Sequence, residues 1–133
     1  MALKSSMKIL LADSNHGSRQ VIKKMLSDVG FKNVFEAADD GKAWEKIEAH
    51  KEEQKPVQLI IADWDLPGEG GLSLLKKVRG DAALKGTKFL MITGEAAQQN
   101  VVIAVKSGVN NVVVRPFSAN ILMEKIAKIF GQA

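Results

Sequence analysis

The sequence predicts an α/β domain in which five β-strands alternate with five helices and form one doubly wound parallel sheet. Short apolar runs, rich in leucine or β-branched residues, recur at five places along the 133-residue chain, and segments with helical spacing separate them. Strands that are apolar along their whole length are typical of parallel sheets covered by helices on both faces. Because such sheets bind ligands beyond the carboxyl ends of their strands, those ends are where we expect a functional site.

Each of the ten elements has its own local signal. The five strands are predicted at Met7–Asp13, Asn33–Ala37, Gln58–Asp63, Lys88–Thr93 and Asn111–Arg115. Apolar residues at helical spacing mark the helices in chain order: Ile22, Met25, Leu26 and Val29, ended by Gly30; Ala43 and Ile47, capped by Asp39 or Asp40; Leu72, Leu75 and Val78; Ala97, Val101, Ala104 and Val105, ended by Gly108; Leu122, Ile126, Ile129 and Phe130, ended by Gly131.

Composition narrows the class of protein. The absence of cysteine excludes disulfides and thiolate metal sites. No apolar run approaches the roughly 20 residues of a membrane helix, and Met1–Ser6 is too short and polar for a signal peptide, so we expect a cytoplasmic protein without membrane contact. The net charge of +4 comes from scattered lysines, and tyrosine is absent, which argues against direct nucleic-acid binding. We expect one domain over residues 1–133, with residues 1–6 as a loose tail.

Polar side chains gather at the predicted strand ends. Asp13 ends the first strand, Asp63 the third with Asp65 two residues later, Thr93 the fourth and Arg115 the fifth. Clustered carboxylates repel one another unless a cation joins them, and a site rich in oxygen ligands and lacking histidine suits Mg²⁺. A carboxylate is also a nucleophile in phosphoryl transfer, and a hydroxyl and a cation would hold the remaining phosphoryl oxygens.

Five stretches, in order, resemble one family over nearly the whole chain. They are ILLADS with Arg19 following, EAADDGKAW, LIIADWDLPGEGGLSLLKKVR, FLMITGEA and VVVRPFSANILMEKIAKIF. The chain resembles the receiver domain of two-component response regulators, especially the stand-alone CheY-like chemotaxis type. The resemblance implies a flavodoxin-like fold with strand order 2-1-3-4-5.

The resemblance also assigns roles to residues. Asp63 matches the aspartate that accepts the phosphoryl group, and Asp13 matches the first of an acidic pair beside the metal. Thr93 matches a switch hydroxyl, and the backbone carbonyl of Asp65 matches a ligand of Mg²⁺. Arg115 stands in place of the family's lysine.

Several residues at the site depart from the family pattern. Ser14 replaces the second acid, which weakens the expected metal site unless the Asp65 side chain compensates; Ser14 is equally well explained as the cap of the first helix. Arg115 replaces lysine with a wider, planar cation that grips two oxygens, and it either reaches the phosphoryl group or pairs permanently with Asp63 or Asp13. Val112 replaces an aromatic residue that moves inward on activation. Pro116 is kept, and the resemblance implies a cis peptide bond before it.

The leading interpretation is a phosphorylation switch. The resemblance implies that a histidine kinase supplies the phosphoryl group, with Mg²⁺ as cofactor, and that the domain at most catalyses its own phosphorylation and dephosphorylation. A downstream protein would bind the surface of helix 4, strand 5 and helix 5, in chemotaxis or motility, and the domain would be a monomer or weak homodimer. The residues expected on that surface are Lys106, Asn110, Val112, Asn120 and Met123.

Two other interpretations stay open. Ser14, Arg115 and Val112 favour a pseudo-receiver that binds its partner without phosphorylation. Asp63-Trp64-Asp65 also fits the Asp-x-Asp motif of haloacid dehalogenase phosphatases. That family carries the motif on its first strand, with Thr or Val at the position of Pro67, so this third interpretation is disfavoured.

Overall fold

The computed structural model describes residues 5–53, 55–94 and 98–131. Five parallel strands form one sheet: β1 Lys8–Ala12, β2 Asn33–Ala37, β3 Leu59–Asp63, β4 Lys88–Gly94 and β5 Asn111–Arg115. The helices that alternate with them are α1 His16–Asp28, α2 Asp40–Glu52, α3 Gly70–Arg79, α4 Gln98–Lys106 and α5 Ala119–Ile129, and a short 3₁₀ helix at Ala82–Leu84 precedes β4.

The strand order is β2-β1-β3-β4-β5, which confirms the predicted topology. The strands pair in parallel, with Ala12 beside both Ala37 and Ala62, so β1, β2 and β3 end at one level. Ile92 pairs with Asp63, and Gly94 pairs with Arg115. The polar residues predicted at the strand ends therefore share one edge of the sheet. β4 extends one residue beyond its predicted end.

Alternate residues of each strand contribute to two apolar layers, one on each face of the sheet. On one face, Leu10, Ile60, Phe89 and Met91 pack against α2, α3 and α4. On the other face, Leu11, Ile61, Leu90, Ile92 and Val113 pack against α1 and α5, through Ile22, Leu26, Leu122 and Ile126. This double coverage explains why the strands are apolar throughout.

Two of the predicted helix faces are narrower than expected. Val29 follows the last residue of α1 and is 46% exposed, and Val105 is 62% exposed. α4 lies over β4 and β5, with Ala104 buried and Val101 partly buried against the core, whereas Val102, Ile103 and Val105 are exposed. Ala97, predicted on the same face, lies outside the described residues.

Hydrogen bonds define the start of α2 and attach the residues just before β1. Asp39, one of the two candidate caps of α2, accepts a hydrogen bond from the Lys42 amide at 2.7 Å. Within the predicted tail, the Ser5 carbonyl accepts a hydrogen bond from the Lys32 amide and the Ser6 carbonyl accepts one from the Asn33 side chain. Among the described helices, none is long and apolar enough to cross a membrane.

Candidate functional site

Two buried aspartates lie at the carboxyl edge of the sheet. Asp13 directly follows β1 and its side chain is 1% exposed, and Asp63 ends β3 with a side chain that is 10% exposed. The Asp13 amide donates to the Ala37 carbonyl at 3.0 Å, which extends the ladder between β1 and β2 by one residue. β1 and β3 are neighbours, so the fold brings two carboxylates together at the end of its central strands.

Arg115 joins these two aspartates. It ends β5, and its side chain reaches over the end of β4. Its Nη1 donates to Asp63 Oδ2 at 2.9 Å, and its Nη2 donates to Asp13 Oδ2 at 3.2 Å. One guanidinium balances one of the two carboxylates, so this cluster keeps one net negative charge. The Arg115–Pro116 peptide bond is cis, as the resemblance implies.

The other carboxylate oxygens bind backbone amides. Asp13 Oδ1 accepts from the Asn15 amide and Asp63 Oδ1 accepts from the Asp65 amide, both at 3.0 Å. Asp13 Oδ2 accepts a further hydrogen bond from the Ser18 hydroxyl. Every oxygen of the two carboxylates therefore accepts at least one hydrogen bond, as buried polar groups generally do.

The backbone around the acids is held from two sides. Arg19 Nη1 donates to the Asp13 carbonyl at 2.8 Å, and Arg19 Nε pairs with Glu36 on β2 at 2.9 Å. The Lys23 ammonium, helped by Arg19, holds the pKa of Glu36 below its ordinary value against the opposing effect of partial burial. On the β3 side, Gly71, in the first turn of α3, lies so close to the Asp63 carbonyl that a Cβ there would collide with it.

Thr93 lies near the end of β4, one residue beyond the partner of Asp63, and is 2% exposed. Its Oγ1 accepts a hydrogen bond from Asn100 Nδ2 at 3.3 Å. The switch hydroxyl predicted from the sequence is therefore linked to α4. The sequence gave no indication of Asn100, because helical spacing does not reveal which polar residue of a helix meets the sheet.

The structure brings some of the predicted site residues together and leaves others exposed. Asp13, Asp63 and Arg115 are in direct contact. Asp65 is exposed and contributes its amide to Asp63. Ser14 is also exposed, and it is not the cap of α1: Asn15 Oδ1 accepts from the Ser18 amide at 2.9 Å. The correction follows from the start of α1 at His16, which makes Asn15 the capping position.

The donor set suits a divalent cation in part. Within the described ranges, no three His, Asp or Glu side chains are grouped to hold a metal ion. However, Asp13 Oδ1 and Asp63 Oδ1 each accept one hydrogen bond from the residues described, which leaves each oxygen a second lone pair. Two carboxylate oxygens and one uncompensated negative charge fit Mg²⁺, together with the Asp65 carbonyl that the resemblance implies as a ligand. Mg²⁺ keeps several waters when protein ligands are few.

Ser18 is a second residue that the sequence did not single out. Its hydroxyl donates to Asp13 Oδ2 and accepts from Arg115 Nη2 at 3.2 Å. The available signal was a small polar residue in the first turn of the helix after β1, since that turn faces the carboxyl edge. From the sequence, Ser14 was the candidate serine because it directly follows Asp13.

The sheet order and the two aspartates bridged by Arg115 are typical of signalling domains that accept a phosphoryl group on aspartate. The chain belongs to the response regulator receiver domain family, whose model matches residues 9–127. It takes part in two-component signal transduction, and receiver domains interact with histidine kinases and with downstream targets. The family match and the position of Asp63-Trp64-Asp65 at the end of β3 remove the dehalogenase-type interpretation.

Individual relatives agree with this assignment. The chain is 39% identical over 125 residues to chemotaxis protein CheY1 of Helicobacter pylori, covering 94% of this chain and 98% of the relative. It is 40% identical over 124 residues to chemotaxis protein CheY of Pseudomonas aeruginosa, covering 93% and 96%. The crystal structure of chemotaxis response regulator CheY4 of Vibrio cholerae superposes with a TM-score of 0.80 at 28% identity, covering 93% and 98%.

Proposed function

We propose that Asp63 accepts a phosphoryl group from a histidine kinase and that the modified domain switches its affinity for a downstream protein. The observation that carries the proposal is the Arg115 guanidinium, which contacts Asp63 Oδ2 at 2.9 Å at the carboxyl edge of the sheet. A cation fixed against the acceptor oxygen stabilises the negative charge that a phosphoryl group brings.

Each residue of the site has a role in this proposal. Asp63 Oδ1 or Oδ2 attacks the phosphorus of the kinase's phosphohistidine, the P–N bond breaks, and the imidazole leaves with the bonding electron pair and remains on the kinase. Arg115 Nη1 then donates to a phosphoryl oxygen. The Thr93 hydroxyl leaves Asn100 and donates to another phosphoryl oxygen.

Mg²⁺ is the proposed cofactor. Asp13, Asp63 and the Asp65 carbonyl would hold it, and Ser14 would contribute at most a neutral oxygen. When bound, the ion supplies charge neutralisation for the phosphoryl oxygens. In this proposal Asp13 holds Arg115 through its Oδ2, while its Oδ1, which accepts one hydrogen bond from the Asn15 amide, keeps a second lone pair for the metal ion.

The proposed output surface consists of α4, β5 and α5. A cavity of about 410 Å³ lies there, lined by Val101, Val105, Val109, Val112, Val114 and Lys125. Val102, Ile103 and Ile121 add exposed apolar area. Asn110, expected on this surface, is exposed and lines the same cavity, and its Oδ1 also accepts hydrogen bonds from Arg79 and the Phe89 amide at the start of β5.

We further propose that the domain acts in chemotaxis or motility, in the cytoplasm, as a monomer or weak homodimer. The support is the likeness to two chemotaxis proteins over more than nine-tenths of this chain and of each relative. We propose no enzymatic activity beyond its own phosphorylation and dephosphorylation.

Beryllofluoride, which mimics a phosphoryl group on aspartate, tests the proposal. Trp64 is half-buried and adjoins Asp63, so its fluorescence should change when beryllofluoride is added with millimolar Mg²⁺. Asp63→Asn should abolish the change, whereas Asp28→Asn, at an exposed aspartate paired with Lys24, should leave it intact. An unchanged Trp64 signal in the wild-type protein, together with unchanged amide shifts at Asp63 and Thr93, contradicts phosphorylation.

A second candidate function is phosphorylation-independent binding, as in a pseudo-receiver. The observation that favours it is that the carboxylate oxygens of Asp63 already bind Arg115 and the Asp65 amide. Under this alternative, Asp63→Asn leaves partner binding unchanged, and beryllofluoride produces no shift. The same titration therefore separates the two functions.

A further inference from the structure

Ser18 forms two hydrogen bonds at the centre of the site. Its hydroxyl proton goes to Asp13 Oδ2, and its oxygen accepts from Arg115 Nη2 at 3.2 Å. Arg115 Nη2 also donates to Asp13 Oδ2 at 3.2 Å. Ser18, Asp13 and Arg115 thus form a closed triangle of hydrogen bonds that joins α1 to the end of β5.

This triangle controls where the other end of the guanidinium points. The group is planar, so fixing Nη2 on both the Ser18 hydroxyl and the Asp13 carboxylate fixes the direction of Nη1. That direction leads to Asp63 Oδ2 at 2.9 Å. A lysine ammonium, by contrast, is a point charge whose three donors rotate freely, and it needs no such support.

The surroundings leave the guanidinium room to turn away. The Arg115 side chain is 32% exposed. A cavity of about 200 Å³ lies beside it, between α1 and the segment after β5, and its lining includes Ser18, Val21, Met25, Pro116 and Phe117. Without the Ser18 hydroxyl, one hydrogen bond at each terminal nitrogen would remain, from Nη1 to Asp63 Oδ2 and from Nη2 to Asp13 Oδ2.

We propose that Ser18 is a positioning residue for Arg115, holding Nη1 toward Asp63 and toward the phosphoryl group that Asp63 carries. This inference rests on the proposed phosphorylation of Asp63, but its geometric part concerns the unmodified protein. Ser18 does not touch the phosphoryl group itself. Its importance follows from arginine at position 115, since only a planar cation has an orientation to fix.

The guanidinium NMR signals of Arg115 test the geometric part without any phosphoryl mimic. In the wild-type protein, the Nε and Nη protons should give resolved signals, because hydrogen bonds slow rotation of the group. Ser18→Ala should broaden or merge the Nη signals, and Ser18→Thr, which keeps the hydroxyl, should restore them. Ser27→Ala, at an exposed serine of the same helix, is the matched control. Unchanged Arg115 signals in Ser18→Ala overturn the proposal.

Beryllofluoride affinity, followed by Trp64 fluorescence with Mg²⁺, tests the consequence. Ser18→Ala should weaken binding about three- to tenfold, as expected for the net contribution of one typical hydrogen bond. In an Arg115→Lys background, Ser18→Ala should cause no further loss. An equal loss in both backgrounds means that Ser18 acts only through Asp13 and overturns the proposal. If the wild-type protein does not bind beryllofluoride, the proposed function fails, and the NMR result alone then decides the role of Ser18.

Discussion

Two buried aspartates share one arginine at the carboxyl edge of the sheet, so the site has two acidic groups and one basic group. Asp13 and Asp63 carry two negative charges, and Arg115 contributes one positive charge through contacts of 3.2 and 2.9 Å. At the proposed Mg²⁺ site the remaining negative charge would attract the metal ion, and when no metal is bound the guanidinium offsets the repulsion between the two carboxylates. Replacing the family's lysine by arginine adds an orientation requirement, because a guanidinium donates along fixed directions.

Removing the shared cation should alter both metal affinity and stability. Arg115→Met leaves two uncompensated carboxylates, so Mg²⁺ should bind about tenfold more tightly, as expected for one added nearby charge in a partly solvated site. Without Mg²⁺, the free energy of unfolding should fall by about 1–3 kcal/mol, less than for a fully buried pair because the guanidinium is one-third exposed. Trp64 fluorescence reports the Mg²⁺ titration, and urea denaturation reports stability.

The control for this experiment is Lys128→Met, which removes an exposed cation from α5 that pairs with Glu124. It should change neither quantity measurably. Equal Mg²⁺ affinity in Arg115→Met and the wild-type protein would mean that the ion binds away from the two aspartates, contrary to the proposed site.

The residues of the site differ in how well the sequence predicts them. Asp13, Asp63, Thr93 and Arg115 lie at the ends of strands, and strand ends follow from the apolar pattern alone. Ser18 and Asn100 lie on helices, where the contact depends on how each helix is rotated and tilted against the sheet. Spacing along the chain does not specify that geometry, and neither does it specify whether Ser14 or Asn15 caps α1.

At the scale of elements, α2 holds the loop between β3 and α3. Asp40 is 8% exposed, and its Oδ2 accepts a hydrogen bond from the Glu69 amide at 2.9 Å, while its own amide donates to the Pro67 carbonyl at 3.2 Å. Gly68 lies between them with a φ of +96°. The glycine-rich turn after Asp65 is therefore held to the start of α2 by two hydrogen bonds.

Gly68→Ala should disrupt this connection. A Cβ at position 68 would collide with the Asp40 carboxylate, and the backbone conformation disfavours a side chain. We expect the free energy of unfolding to fall by about 2–3 kcal/mol in urea denaturation. Gly86→Ala is the control, since no atom lies within 4 Å of its added Cβ, and it should change stability by less than about 0.5 kcal/mol. Similar losses in both variants would show that the Asp40 contact is unimportant.

The stability that the ion pairs between α1 and β2 contribute should depend on pH. The Lys23 ammonium, with Arg19, lowers the pKa of Glu36 below its ordinary value of 4.5. A carboxyl group with a lowered pKa in the folded state stabilises the fold above its ordinary pKa, and that stabilisation is lost as pH falls through the folded-state value. Glu36→Gln should therefore reduce stability by about 0.5 kcal/mol at pH 7, and the difference should disappear as pH falls through the folded-state pKa of Glu36.

Urea denaturation at several pH values checks this prediction. The control is Glu45→Gln, because Glu45 pairs with Lys42 at 3.8 Å on a well-exposed part of α2. Its stability difference from the wild-type protein should stay near zero throughout. A Glu36→Gln difference that persists at low pH would mean that the side chain acts through packing, independent of its charge.

At the scale of the whole molecule, the aspartates of the site and the proposed output surface belong to different elements, because the aspartates lie at the ends of β1 and β3 and the surface is formed by α4, β5 and α5. The aspartates lie at the carboxyl edge, whereas the apolar side chains of Val102, Ile103, Val105 and Ile121 face outward from α4 and α5. Val112 is 9% exposed and packs in the core, so it lacks the bulk and the mobility of the aromatic residue that the resemblance implies there. A signal between the two regions therefore needs another route.

The hydrogen bond from Asn100 Nδ2 to Thr93 Oγ1 at 3.3 Å is such a route, because it joins the end of β4 directly to α4. If Thr93 turns toward a phosphoryl group, it breaks this bond, and α4 loses a tether. In the wild-type protein, amide shifts caused by beryllofluoride and Mg²⁺ should thus extend from Asp63 into α4. In Asn100→Ala the tether is already absent, so the shifts at Asp63 should remain and those in α4 should largely disappear.

Gln99→Ala, at an exposed neighbour on the same helix, should behave like the wild-type protein. Binding at Asp63 is measured in the same spectra, so a loss of coupling is separable from a loss of beryllofluoride affinity. Full-sized α4 shifts in Asn100→Ala would mean that the signal passes through the β4–β5 backbone, where Thr93 pairs with Val114. In that case, losing the Asn100 hydrogen bond would not shift α4 toward its activated state, and unphosphorylated Asn100→Ala should bind the partner as the wild-type protein does. If Asn100 is a tether, unphosphorylated Asn100→Ala should instead bind the partner more tightly than the wild-type protein.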